Sequence, residues 1–93
     1  MFNTSGLIGI HILLLDCEPN LTSTKQVLEK MGNFKVYTAN SAEKAVQLHS
    51  KRHFDVIISE CKLEGKDGIQ FLKEFREEGN TTPFIILTGI KRE

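Results

Sequence analysis

The chain has 93 residues, enough for one domain, and 40% of them are hydrophobic. Twelve basic and twelve acidic residues balance to a net charge of zero, so the basic footprint needed to grip a phosphate backbone is missing, which argues against direct nucleic-acid binding. The longest apolar run, residues 7–15, is broken by Gly9 and His11 and is far short of a bilayer span; two cysteines make no disulfide framework, and the expected setting is cytoplasmic.

Residues 1–9 are rich in Gly, Ser and Asn at their start and read as a leader or a disordered end. Ile10–Leu15 (IHILLL) is an apolar strand that runs into Asp16-Cys17-Glu18. Pro19 suits the first turn of a helix expected over residues 19–31, with Leu21, Val27, Leu28 and Met31 as an imperfect apolar stripe and Gly32 as its stop. Phe34–Ala39 alternates like a half-buried strand. Asn40-Ser41-Ala42-Glu43 reads as a capping box with Asn40 as the cap, opening a helix to about residue 52.

A second apolar strand spans residues 54–59 (FDVIIS) and ends on Glu60; a loop over residues 61–67 follows. A third helix is expected over residues 68–78, presenting Ile69, Leu72 and Phe75 at helical spacing and closing at Gly79-Asn80. Pro83 opens a last strand, Phe84–Leu87 (FIIL), which meets Thr88-Gly89. Strands alternating with helices of this length predict an α/β fold with a parallel sheet and right-handed crossovers. Apolar strands ending on an acid or a hydroxyl place a polar crevice at their carboxyl ends, where open α/β sheets carry function. His11, His49 and His53 show no spacing to carboxylates or thiols that suggests a metal, and read as surface or packing residues.

Three stretches carry a resemblance: residues 12–20 (ILLLDCEPN), 54–68 (FDVIISECKLEGKDG) and 83–89 (PFIILTG), in order and at matching spacing. Together with the βα pattern between them they resemble the receiver domain of two-component response regulators. The resemblance implies a flavodoxin-like, three-layer (CheY-like) fold, present here as (βα)3β over residues 10–93, with the fifth strand, its Lys and the last helices missing. It also implies a signalling module rather than an enzyme, with a histidine kinase or another two-component protein as partner.

Carried over residue by residue, the resemblance places Asp16 at the first acid of the Mg²⁺-holding pair and Cys17 where the second acid is expected. Glu60 stands at the phospho-acceptor position, normally an aspartate. Lys62 would offer its backbone carbonyl to the metal, Asp67-Gly68 matches the closing turn, and Thr88 matches the switch hydroxyl, which could equally satisfy a local backbone group. A thiol is a poor donor for a hard cation, so Mg²⁺ binding is expected to be weak. The expectation is a pseudo-receiver acting through protein–protein contacts, with self-association through the last strand; the alternative is a receiver that still binds Mg²⁺ and accepts a phosphoryl group. A nucleotide binder of similar layout would need a Gly-rich phosphate loop, and residues 16–21 and 40–45 contain no glycine.

Overall fold

The computed structural model describes residues 9–16, 18–60, 62, 63 and 66–87, with the backbone alone for residues 18–20. The elements are β1 (Ile10–Leu15), α1 (Glu18–Met31), β2 (Phe34–Ala39), α2 (Ala42–His49), β3 (Val56–Glu60), β4 (Lys62–Leu63), β5 (Lys66–Asp67), α3 (Gly68–Glu77) and β6 (Phe84–Leu87). Four strands form one parallel sheet in the order β2-β1-β3-β6, and β4 and β5 pair as a separate antiparallel ribbon.

The pleat sends alternate side chains to opposite faces, and both faces are packed, as the near-continuous apolar runs require. On one face Leu13, Leu15, Ala39, Phe54 and Ile57 pack under Ala42 and Ala45 of α2 and Phe71 and Phe75 of α3. On the other, Ile12, Leu14 and Val36 pack with Leu21 of α1, flanked by Leu28, Val56 and Ile58. This is the expected three-layer arrangement. No helix among the described residues is long and apolar enough to cross a membrane.

Several local expectations are corrected. Ser41, not Asn40, caps α2: its backbone is extended and its Oγ accepts from the Lys44 amide at 3.2 Å. The helix stops at His49, not near residue 52. The third strand begins two residues later than expected; Phe54 lies before it, fully buried. The expected loop over residues 61–67 contains the β4–β5 ribbon. In α3 Phe71 is buried beside the expected Phe75, while Ile69 is exposed, and in α1 Val27 and Met31 face solvent.

Phe71 wins because its ring lies 5.6 Å from Phe75 and 5.7 Å from Phe84, in tilted and edge-on contacts that an aliphatic side chain cannot make. The helix closes as expected at Gly79, whose φ of +93° is left-handed. The Gly79 amide donates to Arg76 O and the Asn80 amide to Phe75 O, the Schellman pattern that satisfies the last carbonyls.

Candidate functional site

The carboxyl ends of β1, β3 and β6 stand side by side because these strands are neighbours in the sheet. The register pairs Leu15 with Ser59, and Ser59 with Ile86. Asp16 and Glu60, each one residue further on, therefore leave adjacent strands at the same level. Asp16 is 7% exposed, and its amide extends the ladder by donating to Ala39 O at 3.2 Å. Glu60, the last residue of β3, is half-buried and pairs in register with Leu87.

Lys62 is exposed and begins β4, paired in register with Asp67. Asp67 caps α3, its Oδ1 accepting from the Gln70 amide at 2.7 Å, and so holds the turn into the helix. The expectations for Cys17, Thr88 and Cys61 lie outside the described residues.

The arrangement brings together a buried carboxylate, a half-buried carboxylate and the start of a backbone turn. These are hard oxygen donors of the kind Mg²⁺ prefers. They fall short of a full set: among the described residues no group of three or more His, Cys, Asp or Glu could hold a metal ion.

Sequence reasoning missed two features around this end of the sheet. Ser59 is 0% exposed, and its Oγ donates to Glu60 O at 2.9 Å, a local bond beneath the site. A serine closing an otherwise apolar run was its only signal. Lys66 of β5 reaches Glu74 of α3 and ties the ribbon after Glu60 to that helix.

At the opposite end of the sheet two of the histidines, His11 and His53, meet a carboxylate that their spacing did not suggest. Asp55 accepts from the His11 amide at 2.7 Å and sits 3.1 Å from His53 Nε2. Its carboxyl is held below its ordinary range, chiefly by the His11 backbone bond and then by His53. The bond ties β1 to the start of β3. His49 stays a packing residue, as expected: its ring meets Phe75 edge-on at 4.8 Å and Nε2 lies 3.0 Å from Thr82 Oγ1.

Comparison with known proteins points the same way. A family profile described as the response regulator receiver domain matches residues 12–93. Over 79 residues, 85% of this chain, the sequence is 31% identical to the regulatory protein AtoC of Escherichia coli K12; the match covers only 17% of that protein. The solved receiver domain of the Pseudomonas aeruginosa PAO1 sensor histidine kinase PA1611, with magnesium coordinated in its active-site cleft, superposes with a TM-score of 0.77 at 28% identity. That superposition covers 87% of this chain and 68% of the other. A CheY-like receiver from Methylobacillus flagellatus shares the fold at a TM-score of 0.79 and 22% identity, over 90% of this chain and 73% of that one. With the sheet order, the two packed faces and the match over residues 12–93 in agreement, the chain belongs to the response regulator receiver domain family.

Proposed function

We propose that the chain is a pseudo-receiver: a two-component signalling module that works by binding other proteins and does not cycle through phosphorylation of Glu60. The observation that carries this reading is Glu60 itself, a glutamate at the end of β3 where the family's acceptor is an aspartate, together with Cys17 in place of the second acid. One extra methylene moves the carboxylate outward by roughly 1.5 Å. In-line phosphoryl transfer is a matter of positioning, and a misplacement of about 1 Å costs on the order of 10²-fold. Mg²⁺ asks for near-octahedral oxygen ligands at about 2.0–2.1 Å, and a neutral thiol replaces one of them with a soft, weak donor.

The longer carboxylate also sets negative charge closer to where a phosphoryl oxygen would lie. Glu60 then imitates the phosphorylated state in part and draws the Thr88 hydroxyl toward it, holding the module in one signalling state. Its partners are a histidine kinase or another two-component protein, and a second copy through the β6 edge. The curated relatives are much longer, so any output beyond the receiver is a property of those proteins.

Amide NMR spectra recorded with Mg²⁺, and then with beryllofluoride added, test the reading. The expected result is no shift localised at Asp16, Glu60 and Lys62 at millimolar Mg²⁺. Localised, saturable shifts there would replace it with the second reading, a receiver that still holds Mg²⁺ and a phosphoryl group. One observation favours that alternative: Asp16 and Glu60 emerge level from adjacent strands and offer two carboxylates to one cation.

A further inference from the structure

On the sheet face carrying α2 and α3, a cleft of about 540 Å³ opens between the two helices, with Lys66 of β5 in its wall. Its apolar floor is formed by Ala42, Val46, Phe71 and Phe75. Val46 is 44% exposed, so a helical position that could have been polar presents an apolar side chain to this space. Its rim carries Glu43 from α2, Glu74 from α3, Glu78 at the C-cap of α3 and, among the described residues, a single cation, Lys66.

The charges are not equally free. Lys66 is committed to Glu74, whose other carboxylate oxygen accepts from Gln70 Nε2 at 2.8 Å. That network holds the Glu74 carboxyl below its ordinary range, the Lys66 bond being the main cause. Glu43 and Glu78 have no side-chain hydrogen bond or ion pair to any described residue. The rim therefore presents two carboxylates with no partner among the described residues, one in the first turn of α2 and one at the C-cap of α3, around an apolar floor.

We propose that this cleft docks a segment of another protein that carries an apolar side chain flanked by Lys or Arg. The apolar residue covers Val46 above the Phe71 and Phe75 rings, and the cations pair with Glu43 on one side and Glu78 on the other. An anionic or wholly apolar segment is disfavoured, the first by like charge and the second by burying two carboxylates without partners. The surface also reaches the carboxyl-end site, because Lys66 forms the cleft wall and pairs in register with Leu63 in the ribbon that follows Glu60. A docked cation competing for Glu74 loosens Lys66 and so touches that ribbon. The docking itself stands independently of how Glu60 is read.

The test is a titration of the labelled 93-residue chain with a synthetic 12-residue peptide bearing one Leu flanked by lysines, alongside a counterpart with glutamates for the lysines. The expected result is shifts concentrated at Val46, Gln47, Phe71, Glu74 and Glu78, and binding by the lysine peptide about tenfold tighter than by its counterpart. E43Q combined with E78Q should weaken the lysine peptide about fivefold while leaving the free spectrum dispersed, since both residues are exposed. Equal binding of the two peptides overturns the proposal, as do shifts centred on Ile85 and Leu87. So do concentration-dependent shifts at the cleft without any peptide, which would assign it to a second copy of this chain.

Discussion

His49 is the residue through which pH near neutrality reaches the fold. Its ring is wedged between Phe54 and Phe75, and burial lowers its pKa from the ordinary 6.5, with the charge of His53 adding to the effect. A histidine depressed in the folded state contributes stability that is present above its unfolded pKa and lost as pH falls through the folded one. The chain should therefore lose stability as pH drops below about 6.5, and His49→Gln should flatten that slope in urea titrations at pH 7.5, 6.5 and 5.5. An unchanged slope in the variant would assign the pH response to another group. Asp55 works in a lower window: its depressed carboxyl stabilises above its ordinary value of 3.8, and that contribution vanishes in acid. Because the group is well exposed, Asp55→Ala should cost about 1 kcal/mol or less at pH 7, with the difference from the parent closing below pH 4. Neither role was legible in the sequence. His11 and His53 lie 44 and 2 positions from Asp55, and only the pairing of β1 with β3 brings all three together.

At the scale of elements, the ends of the helices give the clearest expectations. Ser41→Ala removes the Oγ acceptor of the Lys44 amide on the first turn of α2 and should cost about 1 kcal/mol, read as a lower urea midpoint with an unchanged m-value. Gly79→Ala should cost about 1–2 kcal/mol for a purely conformational reason. A Cβ there meets nothing within 4 Å, so the penalty comes from the φ of +93° alone. The same elements show what local sequence can carry. Three strands were legible because their apolar runs end abruptly on polar residues and the fourth, Phe34–Ala39, because it alternates; the bounds of Phe34–Ala39 and Phe84–Leu87 coincide with expectation. The cap of α2 was misplaced because Asn40 and Ser41 are both competent caps, and only backbone conformation chooses between them. The β4–β5 ribbon escaped notice because two-residue strands are too short to show any periodicity. In α1, Val27 and Met31 proved exposed because the helix rests its Leu21 and Leu28 side on the sheet; an apolar letter alone does not say which side that is. At the site, Asp16 and Glu60 were legible as strand ends, whereas the role of the buried Ser59 of β3, one residue before Glu60, was not.

On the scale of the whole molecule the two faces of the sheet are covered unequally. Two helices lie on the Leu13–Ile57 face, whereas on the opposite face α1 packs with the β1 and β2 side chains. Among the described residues no second helix lies over its β3–β6 half, where Val56 and Ile58 are half-buried and Ile85 and Leu87 remain 48% and 41% exposed. The far edge of the sheet is treated differently: Glu29 of α1 accepts from the Val36 amide of β2 at 3.2 Å and so occupies a donor on that edge. Self-association is therefore expected through β6 and not through β2. Magnitudes decide how strong it can be. Burying four partly exposed aliphatic side chains contributes about 1 kcal/mol each, and a four-residue edge adds a few ladder bonds of about 1 kcal/mol. Association itself costs about 4 kcal/mol or more, so the balance corresponds to a dissociation constant on the order of millimolar. Sedimentation across a concentration series should show a monomer at tens of micromolar and a rising mean mass toward millimolar. Ile85→Lys should abolish that rise, because an ammonium in the contact has no partner there. A rise that survives Ile85→Lys would place the contact elsewhere, and a flat mass to millimolar would leave β6 without a role in self-association.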